Sequence, residues 1–166
     1  AAVLDRVDRG ELSLDQLVEV PLDMFVTGVN ALAETFPHPG IQLSVANLME
    51  VMITESDNTA TDVSMGLAGG SAAVTENLRR LGITDFRVDR TTREILMDFY
   101  GLAAATPEVV AEAISNNPAL VMAQVDPNPD FEADPRDHAT PLAMLQLLLA
   151  IDAGKAMSPE SREFLL

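Results

Sequence analysis

Three segments of this chain open in the same way. Thr106-Pro107-Glu108, Thr140-Pro141 and Ser158-Pro159-Glu160 each set a hydroxyl side chain, able to accept from a free backbone N–H, ahead of a proline whose ring already holds a helical φ. Each therefore predicts a helix start. Ser44 predicts another, for a helix to about Glu55 whose Val45, Leu48, Val51 and Met52 share one face. A helix from about Thr59 to Leu67 is stopped by Gly69-Gly70, and one from Ser71 to Leu81 by Gly82, with Arg79 and Arg80 in the last turn where cations suit the helix dipole. Residues 1 to 9 carry Ala2, Val3 and Val7 at helical spacing, with Gly10 as the stop. Ser13 and Gln16 predict a short helical turn through Val20, ended by Pro21, and residues 21 to 43, punctuated by Gly28, Pro37, Pro39 and Gly40, read as irregular. The stretch from Asn116 to Pro135 reads as a long loop, because Pro118, Pro127 and Pro129 interrupt it. Only short segments such as Thr84 to Val88 read as extended, and no alternating pattern builds a sheet. The expected fold class is mainly α.

With 166 residues, 48% of them hydrophobic, the chain can bury a sizeable core, and one domain is expected. Apolar runs such as Leu145 to Ile151 fall far short of the roughly 20 residues of a membrane span. No basic segment followed by an apolar one opens the chain, so an export signal is either already removed or never existed, and the first helix is expected to begin upstream. Ten Lys and Arg against 26 Asp and Glu give a net charge of −16, which argues against nucleic acid because phosphate binding needs clustered cations. The absence of cysteine excludes disulfides and thiolate chemistry. His38 and His138 are the only histidines, too few for a zinc site, so neither metal nor cofactor is expected. The eight methionines read as core filler.

The chemistry concentrates at Ser56-Asp57-Asn58, where one helix hands over to the next. A hydroxyl, an acid and an amide in sequence offer a proton relay and a hydrogen-bonding group suited to an amide substrate, and they equally make a good helix cap. The surroundings separate these readings. Leu43 to Leu48, Ile53-Thr54-Glu55-Ser56-Asp57-Asn58-Thr59-Ala60, Gly69 to Thr75, Leu78-Arg79-Arg80-Leu81-Gly82, Arg87-Val88-Asp89-Arg90 and Asp134 to Pro141 together resemble the class A serine β-lactamase family around its S-D-N motif, in the family's order and spacing. The likeness covers nearly the whole chain and is weakest over residues 93 to 133.

That resemblance implies the helical domain of a two-domain serine β-lactamase or transpeptidase-like fold, with an extended Ω-loop region at about residues 90 to 137 and the β-sheet half absent. It implies Ser56 as the proton shuttle toward the leaving lactam nitrogen, Asn58 as the ligand of the substrate's side-chain amide, and Asp57 as a structural residue holding the turn. Arg90 and Asp137 would pair at the neck of the Ω loop, although an exposed pair of this kind is worth only about 0–1 kcal/mol. A β-lactam or related amide or ester would be the partner, and the location periplasmic or secreted.

Three departures bear on mechanism. No S-x-x-K occurs, since the single lysine, Lys155, follows Asp152 by three, and the K-T-G motif is missing. Val26-Thr27-Gly28 shares two letters with it but stands before the S-D-N motif, and reads as a loop. The isolated segment is therefore expected to be inactive, and the missing sheet domain to be needed. Finally, where the family sets a glutamate two residues after the Ω-loop arginine and an asparagine four residues later, this chain has Thr92 and Leu96. Glu94 is either a replacement base or a solvated glutamate on a short turn. Three functions stay open: β-lactam hydrolysis through an acyl-enzyme, a penicillin-binding or esterase-like hydrolase that deacylates slowly, and a non-catalytic helical domain.

Overall fold

The computed structural model describes residues 1–102, 106–117 and 129–166, and these divide into two compact units. The first comprises Ala1–Gln16, Ser64–Asp89 and Arg136–Leu166, and the second Leu17–Val63 and Arg90–Pro135. The order of elements is α1 (Ala2–Asp8), β1 (Leu17–Val20), a 3-10 turn (Leu22–Met24), α2 (Ala31–Thr35), β2 (Ile41–Ser44), α3 (Val45–Thr54), α4 (Asn58–Ala68), α5 (Ser71–Arg80), α6 (Thr92–Tyr100), α7 (Pro107–Asn116), α8 (Pro129–Glu132), α9 (Pro141–Asp152) and α10 (Pro159–Leu165). The mainly helical class is as expected.

The hydroxyl caps act as the sequence suggests. Ser44 Oγ accepts from Asn47 N at 3.1 Å, Thr140 Oγ1 from Ala143 N at 3.1 Å and Ser158 Oγ from Ser161 N at 3.1 Å. Thr106 Oγ1 accepts from Val109 N at a longer 3.4 Å. Part of the segment expected as a loop between Asn116 and Pro135 lies outside the described residues, and its described end holds the single turn α8.

Three local expectations are overturned. Leu17–Val20 forms a strand instead of a helical turn, the region from 21 to 43 contains a 3-10 turn, a helix and a strand, and a two-stranded antiparallel sheet exists. The register sets Val18 opposite Leu43 and Val20 opposite Ile41, so these apolar residues share one face, while Glu19 and Gln42 pair on the other. Four residues a strand is too short for alternation to stand out, and the partners are separated by the irregular segment. The Thr84 to Val88 segment contributes only one isolated bridge, Phe86 to Ala139.

In the first unit Val3 and Leu4 of α1 are buried, as are Leu78, Ile83 and Ala143, which cluster under Leu81, Phe86 and Leu147. Arg79 Nη1 donates to the carbonyls of Ile83 and Phe86 at 2.6 and 2.7 Å, which fastens the segment after α5. In the second unit Val20, Phe25, Val26, Leu32, Val45, Leu48, Met49, Ala60 and Val63 are buried. The site described below stands on that core. Among the described residues no helix is long and apolar enough to cross a membrane.

Asp8 ties α10 to α1 within the first unit. Its Oδ2 accepts from Ser158 N at 2.7 Å and its Oδ1 from Ser161 Oγ at 2.6 Å. Partial desolvation opposes ionisation of this carboxyl, but the bonds from Ser161 and Ser158 outweigh it and hold the pKa below its ordinary value. Because the folded-state pKa is lowered, the stabilisation is complete above the ordinary carboxylate range and is lost as pH falls through the lowered value. Asp8→Ala is thus expected to unfold at a lower temperature than the unmodified protein at neutral pH. The two should converge in acid, as read by thermal unfolding across a pH series.

Candidate active site

Ser56 stands at the junction of α3 and α4 with φ +55, in the left-handed region, and is exposed. A non-glycine residue there carries roughly 1–2 kcal/mol of strain, so its neighbours must hold it. Asp57 does so. It is fully buried, its Oδ1 accepts from Ala60 N at 2.7 Å as the cap of α4, and its Oδ2 accepts from Leu32 N at 2.9 Å in α2. The Asp57 carbonyl also receives Thr61 Oγ1 at 2.7 Å. One carboxylate thereby satisfies two buried donors on different elements.

Asn58 is half-buried against the loop before α2. Its backbone N donates to Val29 O at 2.8 Å, and its Nδ2 to Thr27 O at 2.6 Å. The next residue, buried Thr59, accepts from Val26 N at 2.9 Å. Asn30 closes the loop on itself, with Nδ2 donating to Val26 O at 2.6 Å and Oδ1 accepting from Ala33 N at 3.0 Å. Ser56-Asp57-Asn58 is consequently locked on its buried side and open at the Ser56 hydroxyl.

Residues 90 to 98 are built onto the same unit by acids. Arg90 is buried, pairs through Nη1 with Asp98 at 2.7 Å and Asp134 at 3.3 Å, and lies 5.3 Å above the ring of Phe131. Asp62, one turn along α4 from Asn58, accepts from Thr92 N at 2.7 Å and Arg93 N at 3.0 Å. Glu94 is not on a short turn: it is the third residue of α6, and its Oε2 accepts from Thr91 N at 2.7 Å while Thr91 Oγ1 accepts from Glu94 N at 3.2 Å, a complete capping box. Asp137, with φ +55, exchanges bonds with Asp89, accepting from Asp89 N at 2.7 Å and donating its own N to Asp89 Oδ2 at 2.9 Å.

A model of the beta-lactamase enzyme family matches residues 1–166. The chain belongs to that family. It is 26% identical over 166 residues to a beta-lactamase of Bacteroides uniformis, covering 99% of this chain and 45% of that protein. It is 31% identical over 162 residues to the beta-lactamase Toho-1 of Escherichia coli, covering 98% and 44%. Among solved structures, an ancestral class A beta-lactamase matches at 33% identity with a TM-score of 0.69, covering 99% of this chain and 50% of that one. A class A beta-lactamase of Bacteroides cellulosilyticus matches at 26% with a TM-score of 0.67, covering 98% and 47%. The chain thus spans about half the length of the beta-lactamases it resembles.

Asp62 holds the start of α6 and Thr59 holds the loop beside the triplet, and neither is conspicuous in the sequence. Asp62 follows Asn58 by four, but its partners are backbone groups 30 and 31 residues away, which no local pattern announces. The Thr91–Glu94 box, by contrast, is a legible T-x-x-E signal for the start of α6.

Two expectations follow from the geometry of this triplet. Asp57→Ala should destabilise the protein by roughly 3 kcal/mol, because it strands two buried N–H donors, as measured by urea unfolding. Ser56→Gly should be more stable than Ser56→Ala by about 1 kcal/mol, since only glycine relieves the left-handed backbone; equal stability of the two would show that the strain is absent.

Proposed function

We propose that this chain is the S-D-N-bearing half of a serine β-lactamase. The nucleophilic serine and the K-T-G segment come from the remainder of the protein. In this reading that serine adds to the lactam carbonyl, the carbon–nitrogen bond breaks, and Ser56 Oγ passes a proton to the departing nitrogen while regaining one from a neighbouring base. Asn58 binds the substrate's side-chain amide. Water then cleaves the ester and frees the serine. Arg90 and Asp137 mark the ends of the Ω-loop region, and the protein acts in the periplasm or outside the cell.

The observation that carries the reading is the presentation of Ser56. Its hydroxyl is exposed on a strained left-handed residue, while the two residues after it are fixed by buried hydrogen bonds to Leu32, Ala60 and Thr27. A mere helix cap needs Asp57 alone. Holding the Ser56 backbone at such cost suits a residue whose hydroxyl must transfer a proton from a defined position.

One observation favours slower deacylation, in the manner of a penicillin-binding or esterase-like hydrolase. Thr92 occupies the family's glutamate position, and the nearby Glu94 carboxylate is engaged by Thr91. The test uses the full-length protein with nitrocefin, following hydrolysis and intact mass together. Turnover with a transient adduct is expected. A persistent stoichiometric adduct would move the function to the penicillin-binding class, and neither turnover nor adduct would leave only a non-catalytic domain. The 166 residues alone should be inert in the same assay.

A further inference from the structure

The start of α6 is fastened twice, and the two fastenings close a ring with α4. Asp62 of α4 accepts from Thr92 N at 2.7 Å and from Arg93 N at 3.0 Å. The Arg93 side chain then reaches 70 and 68 residues back along the chain, where its Nη2 donates to Asp23 O at 2.6 Å and to Phe25 O at 3.3 Å. The next residue, Val26, donates its N to Thr59 Oγ1 at 2.9 Å, which returns the path to α4 three residues before Asp62. Residues three apart on a helix are neighbours on one face, so both ends of the ring stand on the same side of α4. Every member belongs to the second unit, and α4 begins two residues after Ser56.

We propose that Arg93 is a positioning residue for release of the acyl-enzyme: its guanidinium braces the start of α6, and with it the Glu94 carboxylate, against the loop that Thr59 holds. The inference rests on the reading of the chain as half of a serine β-lactamase, with Glu94 as the base that activates water. In that release a water oxygen adds to the ester carbonyl carbon while its proton passes to the carboxylate. The carbon–oxygen bond to the serine then breaks, and the proton goes to the serine oxygen. The carboxylate must therefore stand at a defined distance from the ester, since a misplacement of about 1 Å can cost about 100-fold in rate.

Asp62 fixes where α6 begins but leaves it free to tilt about that point, because both of its bonds go to adjacent backbone N–H groups. The second attachment, through Arg93, removes that freedom. A guanidinium suits the task, because its donors carry charge and it is not deprotonated in proteins. Ser56 depends on different bonds. Asp57 ties the junction to Leu32 and Ala60, and neither contact passes through Arg93. Loss of the brace therefore slows ester cleavage and spares ester formation, the step in which Ser56 delivers its proton.

The experiment uses the full-length protein with benzylpenicillin. It compares Arg93→Met, which keeps an apolar stem and loses the donors, with Arg93→Lys, which keeps a cationic donor for the same carbonyls. Adduct formation and decay are followed by rapid quench and intact mass, alongside steady-state kinetics. Arg93→Met is expected to slow decay about tenfold, the loss of one charge-assisted hydrogen bond, and to leave formation within about twofold. kcat and KM then fall together, with kcat/KM nearly unchanged. Arg93→Lys should bring decay back to within about threefold of the unmodified protein. Unchanged decay in Arg93→Met, equal slowing of formation and decay, or a lysine variant no faster than the methionine one would overturn the proposal. Should Arg93→Met fail to fold, Arg93→Gln, too short to reach both carbonyls, is read in its place with the same outcomes. An unmodified protein that forms no adduct and turns nothing over would overturn the β-lactamase reading and this proposal with it, while turnover with decay indifferent to Arg93 would overturn this proposal alone.

Discussion

The second unit depends on one buried carboxylate. Asp57 has no exposed surface and accepts from backbone donors on α2 and α4, 25 residues apart and 3 residues apart in sequence. An unpaired charge at such a depth would cost several kcal/mol, but the same desolvation strengthens the two hydrogen bonds it does make. The junction between α3 and α4 is therefore held by an interaction that tolerates little movement. Ser56, immediately before it, is carried into a left-handed conformation as a consequence.

The loop from Val26 to Asn30 is organised by the same short stretch. Asn58 and Thr59 take up Thr27, Val29 and Val26, while Asn30 bonds back to Val26 and caps α2. Because Asp57 also holds α2 through Leu32, the loop is fastened at both ends to three successive residues of α4 or its cap. Fixing one turn thus fixes the wall beside it, and the exposed hydroxyl is bounded by a surface that has little freedom of its own.

Helix starts were the most readable part of this chain, because a Ser or Thr ahead of proline states its conformation locally. Ser158 and Thr140 need no tertiary context, and the S-D-N triplet with its flanking residues points to the family to which the chain belongs. The small sheet was not readable: Val18 and Val20 pair with Leu43 and Ile41 across a turn-rich segment, and four-residue strands carry too little alternation. The polar anchors were hidden for a related reason. Asp62 and Asn30 bond to backbone groups, which look alike in every sequence, so their roles emerge only when the chain is folded.

The start of α6 shows how such anchors constrain chemistry. Asp62 accepts from Thr92 N and Arg93 N, Thr91 Oγ1 accepts from Glu94 N, and Glu94 returns its carboxylate to Thr91. Two acids at a helix N-terminus suit the dipole, and together they satisfy the first-turn donors that a helix leaves open. Asp62 has both oxygens committed to backbone donors and is buried, which makes it an anchor. Glu94 is different. It is exposed, and among the described residues its carboxylate bonds to Thr91 alone, a capping box worth about 1 kcal/mol. Freeing it to take a proton from water would cost less than a factor of about ten in population. In the proposed reading, where Thr92 stands at the family's glutamate position, a carboxylate recruited from Glu94 is one that the helix start must first release.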